Sequence, residues 1–396
     1  MSGVARDASS DHPVRDVAVV GAGPVGATLA LALRGSDLDV VVADARAAGE
    51  SIRADRTLAL SHGARLVFER LGVWTPLAAT RGAITPIVAI DVSQARGFGA
   101  VRLTAAEQGL PALGYVVSYR ALQGVLDEAL ARARIDVRFG ASVRAVRGSG
   151  DTATIDVAAP AEPLRARLAV VADGAASSVP AIARRRHDYR QVAIVAAVAL
   201  DHPHGGVAYE RFTAEGPVAL LPERDHCALV WTCEPDAAAA LIALPEPAFL
   251  ASLAAHFGSR VRGFTGVGDR RSFPLALEVA RNTTAQRVAV VGNAAQALHP
   301  IAGQGFNLGV RDAYDLARTI VETPREAIGS DAMLAQYRAR RALDRRAGIA
   351  FTHGLVQLFG NDLPWLRVPR GAGMMLLDAV PFAKRAFGRA MLFGMR

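Results

Sequence analysis

Two glycine-rich stretches in this sequence have the residue types with which a backbone binds a phosphate or a charged ring. The first, GAGPVG, places Gly21, Gly23 and Gly26 directly after the apolar run DVAVV. The second, GNAAQALHPIAGQGFNLG, extends from Gly292 to Gly309 after the apolar run RVAVV. Glycines between a strand and a helix free backbone N–H groups at the helix N-terminus, where the helix dipole favours negative charge. Both stretches therefore indicate turns that bind an anion.

The first stretch has the spacing of a dinucleotide fingerprint. In a strand–turn–helix unit with GxGxxG, the first glycine permits the turn, the second admits a pyrophosphate, and the third allows close helix packing. A second apolar run, DVVVADA, contains Asp44, at the place where an acid binds a ribose hydroxyl. The chain carries one such fingerprint, so we predict one dinucleotide with Asp44 on its ribose.

The second stretch distinguishes between FAD and NAD. An NAD-dependent dehydrogenase needs an acid or base beside the nicotinamide, whereas FAD needs a second contact region for its flavin ring. The glycines that precede the helix after Gly305 offer such a region, since a reduced flavin carries negative charge. We therefore predict FAD, with a colourless NAD-dependent dehydrogenase as the alternative.

Bulk composition indicates a folded protein of more than one domain. The 396 residues are 51% hydrophobic, the longest apolar run (Val192 to Leu200) is too short to span a bilayer, and the polar N-terminus lacks the apolar segment of a signal peptide. Two cysteines, Cys227 and Cys233, fit a reducing cytoplasm and predict plain core. The net charge of +8 comes from arginines spread along the chain, which argues against a nucleic-acid-binding stripe.

The elements that position the glycine motifs predict an α/β fold. Short alternating runs from Gln191 to Arg271 are typical of antiparallel sheet, and the segment from Arg53 to Gly72 is predicted as a helix. We expect a Rossmann-like FAD-binding domain that is interrupted by a mostly antiparallel β-sheet substrate domain and followed by C-terminal helices. The predicted parts are FAD-binding segments 14–75, 101–185 and 281–330, substrate-domain segments 76–100 and 186–280, and a helical region 331–396.

Three motifs in this order resemble the class A FAD-dependent aromatic hydroxylases, which share the p-hydroxybenzoate hydroxylase fold. They read VAVVGAGPVGATLALAL, AVVADGAASS and VGNAAQALHPIAGQGFNLGVRDAYDLA. The likeness extends over nearly the whole chain and is closest to the ubiquinone-biosynthesis hydroxylases, in particular to the 2-polyprenyl-6-methoxyphenol hydroxylases. It implies FAD as cofactor, NAD(P)H as co-substrate, and oxygen transfer from O2 through a flavin C4a-hydroperoxide.

The resemblance also assigns site residues by position. It places the fingerprint glycines on the FAD diphosphate, Asp173 and Gly174 where FAD and NAD(P)H binding meet, and the third motif around the flavin ring. His299 and Pro300 are the flavin-proximal candidates for catalysis, with His62, Tyr209 and Arg211 as further ones. The cofactor-binding residues that it implies are Gly21, Gly23, Gly26, Asp44, Arg56, Arg120, Gln123, Asp173, Gly174, Gly292, Asn293, Pro300, Gly303, Gln304, Gly305 and Asn307. No HExxH or CxxC pattern indicates a metal, and no GxSxG a hydrolase.

Two positions depart from the family pattern. The third motif commonly reads Gly-Asp-Ala-Ala-His, whereas Asn293 and Gln296 stand here for the aspartate and the histidine. We expect both amides to keep the contact with the ribityl sugar by hydrogen bonding. The second motif usually closes with an arginine, and Pro180 stands at that place, which leaves the NAD(P)H contacts open.

The C-terminal tail has a composition of its own. From Arg367 to the end, six basic residues stand against one acid, Asp378, among many Leu, Met and Phe residues. Such a tail either lies on an anionic membrane or a partner protein, or packs as a helix pair on the FAD domain. Lys384 is the only lysine, and its place in the tail argues against the related flavin halogenases, which need a lysine between flavin and substrate.

We therefore expect a cytoplasmic enzyme, peripheral at the inner face of the membrane, that hydroxylates 2-polyprenyl-6-methoxyphenol to the 1,4-benzoquinol in ubiquinone biosynthesis. The alternatives are a sister hydroxylase acting at another ring position or on another phenol, and a non-catalytic flavin-binding subunit of a quinone-biosynthesis complex. The expected partners are the polyprenylated phenol, O2, the membrane surface or other quinone-biosynthesis proteins, and in a homo-oligomer a second copy. Neither a metal nor nucleic acid is expected.

Overall fold

The structure, a computed structural model, describes residues 13–50, 52, 55–95, 97–159, 161–174, 179–261 and 263–395. Its strands in chain order are β1 (Val14–Val20), β2 (Val40–Asp44), β3 (Thr57–Ser61), β4 (Ile84–Ile87), β5 (Ala89–Gln94), β6 (Ala100–Thr104), β7 (Gly114–Ser118), β8 (Asp136–Phe139), β9 (Val143–Ser149), β10 (Thr152–Val157), β11 (Leu164–Val171), β12 (Arg184–Leu200), β13 (Val207–Phe212), β14 (Pro217–Glu223), β15 (His226–Cys233), β16 (Phe264–Val267), β17 (Arg271–Ala280), β18 (Thr284–Ala285), β19 (Val288–Val290) and β20 (Gln296–Ala297).

The helices connect and cover these strands. They are α1 (Pro24–Ala32), α2 (His62–Arg70), α3 (Trp74–Ala79), α4 (Ala105–Gln108), α5 (Tyr119–Arg132), α6 (Pro235–Ala243), α7 (Glu246–Phe257), α8 (Gln304–Val321), α9 (Asp331–Phe359), α10 (Pro364–Ala379) and α11 (Pro381–Phe393). Short 3₁₀ turns lie at Gly258–Arg260, Gly292–Ala294, Ile301–Gly303 and Arg325–Ala327. No helix in the described part of the chain is long and apolar enough to cross a membrane.

The first sheet is the Rossmann-like sheet that the fingerprint predicts. Strands β19, β11, β1, β2 and β8 lie side by side and run parallel. The hairpin β9–β10 extends from β11, and β18 lies antiparallel to β19 at the edge. The carboxyl ends of β1, β11 and β19 therefore meet at one edge, although they are far apart in sequence. Each of the three motifs begins at that edge, so the sheet itself assembles them.

The second sheet has nine strands and is mostly antiparallel, as predicted. Its order is β20-β17-β12-β15-β14-β13-β5-β6, with β16 paired to β12 and one parallel pair, β13 with β5. One face packs against α6 and α7 around Trp231, Phe249 and Phe257. Cys227 and Cys233 are free and buried in this core, as the sequence predicted. The sheet draws strands from both segments predicted for the substrate domain, and β6 extends to Thr104; the division into domains stays a prediction.

The prediction of a helix from Arg53 to Gly72 is wrong in its first half. Residues 53 and 54 lie outside the described residues, and Thr57–Ser61 forms the strand β3. Its backbone pairs with β7 in a small third sheet, Leu58 opposite Val117, so tertiary pairing decides against the helical pattern. The helix α2 begins only after Ser61, whose hydroxyl accepts a hydrogen bond from the Ala64 N–H.

The C-terminal helices pack on the rest of the molecule. Lys384 is buried and donates to Glu107 on α4 and Asp378 on α10, at 2.8 and 2.9 Å. The Asp378 carboxylate also accepts from the Arg102 backbone N–H. The two helices are therefore packed on the protein, as one of the two alternatives for the tail has it, but Asp378 contacts β6 of the nine-stranded sheet, so a place on the FAD domain stays a prediction. The opposite surface of α10 and α11 still exposes large apolar side chains, which are Trp365, Val368, Met375, Leu376 and Phe382.

A buried ionic network joins α8 to α9. The Arg341 guanidinium contacts Asp312, Asp315 and Asp344 at 2.8, 3.0 and 2.7 Å, and Arg311 contacts Asp344 at 2.8 Å. Burial raises the pKa of Asp344, but the two arginines outweigh burial and hold this pKa below its ordinary value. The Asp344 carboxylate therefore stays ionised, and the ion pairs of Arg341 and Arg311 join the two helices.

Replacing Arg341 should uncouple the two helices. Arg341→Leu leaves buried carboxylates without their counter-charge, and we expect a loss of about 3–5 kcal/mol in the free energy of unfolding, as for one partner of a buried ion pair. Arg340→Leu, which removes the partner of the more exposed Glu322, should cost less than about 1 kcal/mol. Urea unfolding at neutral pH measures both. Equal losses would contradict the dominant role of the buried network.

Candidate active site

One large cavity lies where the three motifs, the nine-stranded sheet and the C-terminal helices meet. Its volume is about 950 Å³, at the upper end of the range of about 300–1,000 Å³ for cofactor and small-molecule sites. The motif loops line one end, where charged and amide side chains gather. The sheet and the helices α9, α10 and α11 line the other end almost entirely with apolar side chains. The cavity thus has a polar part and an apolar part.

The three fingerprint glycines have different tasks. Gly21 has φ +99°, and a Cβ there would approach the Ala172 carbonyl oxygen to 2.9 Å. A Cβ on Gly26 would lie only 1.9 Å from the Gly21 carbonyl oxygen, so this glycine permits the turn to pack on α1. A Cβ on Gly23 would meet no protein atom within 4 Å and would project from the cavity wall. Gly21 and Gly26 are therefore needed by the fold, whereas Gly23 keeps space for a ligand.

Asp44 lies in the cavity wall with most of its acceptor capacity in use. It is buried, and its carboxylate accepts from the Ala22 N–H at 2.5 Å and from the Arg46 N–H and Nε at 2.9 Å. An ionised carboxylate offers about four acceptor sites. One acceptor site therefore stays available for a ribose hydroxyl, as the fingerprint predicts.

Of the other residues predicted to contact the cofactor on this side, one lines the cavity and two lie behind or outside its wall. Arg56 lines the cavity, and its guanidinium stacks over the Tyr119 ring at 4.0 Å from the centroid. Gln123 is buried behind the wall and donates to the Ala22 carbonyl at 2.9 Å, so it supports the fingerprint loop. Arg120 is exposed outside the wall and donates to the Ile52 carbonyl at 3.0 Å. For Gln123 and Arg120, the structure indicates a role in loop position.

The second motif reaches the cavity through Asp173 and Gly174. Both residues line it, and Gly174 has φ +92°. Desolvation raises the pKa of Asp173 to about 6, although the nearby Arg184 opposes this shift. Pro180 stands where the family has an arginine, but Arg184 donates to the carbonyls of Asn293 and Ala294 at 3.0 and 3.1 Å. Arg184 therefore ties the second motif to the third; residues 175–178 lie outside the described residues.

The third motif forms the opposite side of the polar end. Its cavity-lining residues are Gly292, Asn293, Pro300, Gly303, Gln304, Gly305 and Asn307. The helix α8 begins at Gln304 after the left-handed Gly303, a cap residue that has no side chain with which to cap the helix. Asn307 holds this turn to β3, accepting from the Ser61 N–H at 2.8 Å and donating to the Ala59 and Gly303 carbonyls at 3.0 and 2.8 Å. An open helix N-terminus thus faces the cavity and favours an anion.

Gln296 does not have the place expected from the sequence. It is fully buried behind the cavity wall, donates to Asp312 at 2.6 Å and accepts from Arg345 at 2.8 Å. The expectation that it keeps a sugar contact is therefore wrong, because its amide completes the ionic network between α8 and α9. Asn293 does line the cavity, and its sugar contact stays a prediction.

The structure places the candidates for acid–base catalysis at different sites. His299 lines the cavity beside Pro300, and its Nδ1 accepts from the Ile301 N–H at 3.2 Å. Burial lowers the pKa of His299 to about 4, so the ring is neutral with its proton on Nε2 and acts as a donor. Tyr209 belongs to the cavity lining, but its ring packs on Phe257, on the far face of the sheet. Catalytic roles for His299 and Pro300 stay predictions.

His62 and Arg211 lie away from the apolar end. His62 is buried at the start of α2, beside the Phe393 ring at 5.9 Å. Arg211 donates to the His256 carbonyl and to Ser93 Oγ on the far face of the sheet. Between Tyr209 and Arg211 stands Glu210, which lines the cavity and was missed. Strand alternation in VAYERF is the signal that separates it from both neighbours, because neighbours of a cavity-facing residue face away.

A second, smaller cavity adjoins the apolar end. It has about 250 Å³ and lies between α9 and α10, with apolar walls that include Leu358, Leu366 and Pro369. Phe359, Met374 and Leu377 line both cavities. These three side chains are thus the partition between the large cavity and the surface of the C-terminal helices.

Comparison with known proteins agrees with this geometry. Residues 15–352 match the family model described as FAD binding domain. The chain is 34% identical over 390 residues to the ubiquinone hydroxylase UbiL of Rhodospirillum rubrum, covering 96% of this chain and 90% of that protein. It is 32% identical over 381 residues to 3-demethoxyubiquinol 3-hydroxylase of Escherichia coli, covering 93% and 96%. In fold it resembles p-nitrophenol 4-monooxygenase PnpA of Pseudomonas putida, with a TM-score of 0.76 at 20% identity over 97% of this chain and 100% of that one.

The room at Gly23 gives a test of the cofactor site. Gly23→Val should leave the fold intact, because no protein atom lies near the new Cβ, but should abolish FAD binding by filling the cradle. Flavin content after purification measures binding, and thermal unfolding of the FAD-free forms measures the fold. Gly124→Val, at an exposed glycine of α5 with open space around it, should keep its flavin. Full flavin content in Gly23→Val would show that the diphosphate lies elsewhere.

Proposed function

Since the chain belongs to the FAD binding domain family and is an FAD-dependent aromatic monooxygenase, we propose that it hydroxylates the ring of a polyprenylated phenol in ubiquinone biosynthesis. The observation that carries this proposal is the continuous cavity from the three FAD motifs to an apolar wall, with a second apolar cavity behind it. Both curated relatives described above carry names of ubiquinone-pathway hydroxylases. A phenolic ring fits between the FAD motifs and the apolar wall of the large cavity, and a long apolar chain fits the second cavity behind that wall.

In this proposal the parallel sheet holds the cofactor. Gly21, Gly23 and the N-terminus of α1 hold the diphosphate, Asp44 a ribose hydroxyl, and the open N-terminus of α8 the flavin ring. Bound FAD supplies the redox chemistry by which NAD(P)H reduces O2 and one oxygen atom reaches the ring. Phenol, O2, NAD(P)H and a proton thereby give the hydroxylated ring, water and NAD(P)⁺.

The nine-stranded sheet and the C-terminal helices act on the substrate. Their apolar side chains exclude water from the ring, which protects the reaction from side products. The prenyl chain would pass Phe359, Met374 and Leu377 into the second cavity. Each buried methylene of the chain contributes about 0.8 kcal/mol to binding, so this part of the substrate supplies most of the affinity.

The ring position has two candidates. The sequence motifs favour 2-polyprenyl-6-methoxyphenol, whereas the Escherichia coli relative is named for the 3-position of demethoxyubiquinol. Deletion of the gene in its own host, followed by mass spectrometry of the accumulated quinone precursors, distinguishes them, because the accumulated lipid lacks the hydroxyl group that this enzyme adds. Unchanged ubiquinone without a new precursor would contradict both candidates.

The alternative of a non-catalytic flavin-binding subunit is separable by a direct assay. A monooxygenase should oxidise NAD(P)H faster when a prenylated phenol is added, with a hydroxylated product detected by mass spectrometry. A structural subunit would show neither response. The purified holoprotein and a short-chain phenol such as 2-geranyl-6-methoxyphenol suffice for this assay.

We also propose that the outer surface of α10 and α11 lies on an anionic membrane. Trp365, Val368 and Leu376 are more than 60% exposed, and Phe382 is 83% exposed, a large apolar patch for a protein surface. Arg385 and Arg389 are exposed on α11. The smaller cavity opens among the same helices, so a substrate in the bilayer would have a short path to the ring site.

Acidic substitutions on this surface should detach the protein from vesicles. The double variant Trp365→Glu with Phe382→Glu should bind phosphatidylglycerol-containing vesicles at least about tenfold more weakly, because burial of each aromatic side chain is worth about 1.5–3 kcal/mol. Cosedimentation with vesicles measures the binding. As control, Val14→Glu with Val321→Glu alters two exposed side chains elsewhere and should leave binding unchanged. Undiminished binding of the first double variant would contradict this membrane surface.

A further inference from the structure

The apolar wall of the cavity contains a single carboxylate, Glu210, among its described residues. Glu210 lies on β13 with Val92 of β5 on one side and Ala219 of β14 on the other, and Val230 of β15 follows Ala219. These four side chains share one face of the sheet and line the cavity. The acidic group therefore stands in the middle of an apolar row across four strands.

Within the part of the chain that the structure describes, no group neutralises this carboxylate. Among the described residues, no side chain or backbone N–H donates to it, and no cation pairs with it. Its apolar surroundings raise the pKa of Glu210 to about 7, with desolvation as the cause. Glu210 is half-buried and lines the cavity, so its carboxylate is accessible from the cavity, where a ligand can supply the hydrogen bond that apolar surroundings withhold.

The other titratable groups around the cavity cannot replace it. Asp44, Arg46, Arg56, Tyr119 and Asp173 line the end formed by the FAD motifs.

Two other titratable residues belong to the cavity lining, Tyr209 and His299, while Tyr189 and His353, hydrogen-bonded to each other at 3.1 Å, stand behind His299 and outside the lining. Tyr209 packs on the far face, and His299 is a neutral donor whose Nε2 has no partner among the described residues. Asp91 and Arg102 on the neighbouring strands lie in register with Tyr209, on the far face, and Asp91 pairs there with Arg260 at 2.9 Å. Glu210 is therefore the available proton acceptor at this end.

We propose that Glu210 is a catalytic residue of the hydroxylation, the general base that accepts the proton of the substrate's ring hydroxyl; this inference rests on the proposed function. Transfer of that proton to the carboxylate leaves the O–H electron pair on the ring oxygen. The electron density then rises at the ring carbon that takes up the oxygen atom. After oxygen transfer, that carbon loses its hydrogen as the proton that completes the water formed from the second oxygen atom of O2, the ring becomes aromatic again, and the carboxylic acid of Glu210 returns its proton to the ring oxygen. Glu210 ends the cycle as it began.

The pH dependence follows from this role. The carboxylate form is the active one, so turnover should fall as the pH decreases through about 7, the pKa of Glu210 in the cavity. The same burial makes ionisation unfavourable to the fold. Because the folded-state pKa is raised, the folded protein loses stability as the pH rises from the ordinary glutamate range through about 7. Glu210→Gln has no charge to bury and should be more thermostable than the wild type at pH 8, with no such difference at pH 5.

The test compares the holoenzymes of wild type, Glu210→Gln and the control Glu215→Gln, whose side chain is exposed in the turn between β13 and β14. The substrate is 2-geranyl-6-methoxyphenol. All three should retain FAD. Glu210→Gln should lose about 10²–10⁴-fold in kcat, the usual contribution of a general base, together with the acidic limb of the pH profile. Glu215→Gln should behave as the wild type.

A ring-fluorinated analogue separates base catalysis from a structural defect. Fluorine lowers the pKa of the phenol, so the substrate ionises without help, and the wild-type to Glu210→Gln ratio of kcat should shrink at least about tenfold. A ratio that stays the same for both substrates would indicate lost positioning and would overturn the proposal. So would full kcat in Glu210→Gln with the wild-type pH profile.

Binding gives a readout that does not depend on turnover. The wild type should bind 4-hexylphenol several-fold more tightly at pH 8 than at pH 6, because an ionised carboxylate is the stronger acceptor, and Glu210→Gln should show no such change. If the wild type forms no hydroxylated product, the proposed function fails, and this pH-dependent binding still decides whether Glu210 faces a phenol. Equal pH dependence in both proteins would refute the contact.

Discussion

The close approach of backbone at two pairs of glycines is the constraint on which the rest of this structure depends. Gly26 packs on the Gly21 carbonyl, and Gly309 packs on Gly292, where an added Cβ would lie 1.9 and 2.9 Å from backbone atoms. The first pair brings α1 onto the fingerprint loop, and the second brings α8 onto the third motif. Val25 of α1 also packs against Gly292 and Gly309. The N-terminal parts of α1 and α8 thus stand side by side because glycines leave room for this close approach.

The positions of the helices are then maintained by buried polar groups, most of which lie behind the cavity wall. Arg341 and its three carboxylates join α8 to α9, and Gln296 connects this network to the loop that precedes α8. Asn307 fixes the start of α8 to β3. Each of these groups is hydrogen-bonded and buried, so its hydrogen bonds are directional and leave the helices little freedom. The cavity wall is rigid because its support is polar, while its apolar part is shaped by packing.

The sequence allowed the prediction of whatever depends on local pattern. The fingerprint, the parallel strands before each motif and the antiparallel sheet follow from periodicity and glycine spacing, and all are present. The strand β3 was missed because its pairing with β7 joins residues that are distant in sequence. Gln296 was assigned to the cofactor because motif position does not tell which way a side chain points. Glu210 was missed because alternation along β13 places it opposite to Tyr209 and Arg211 but does not tell which of the two faces meets the cavity.

Apolar surroundings act on two cavity-lining groups of opposite type, His299 and Glu210. Desolvation favours the neutral form of any titratable group, so it lowers the pKa of His299 and raises that of Glu210. The histidine becomes a fixed donor throughout the physiological range, whereas the glutamate is brought to the pH at which it can both accept and return a proton. One physical cause, the exclusion of water, thus gives the cavity a permanent donor and a reversible acceptor. If the wall had more polar side chains, water would hydrate both groups. Glu210 would then be a weak base and would not suit the role proposed for it.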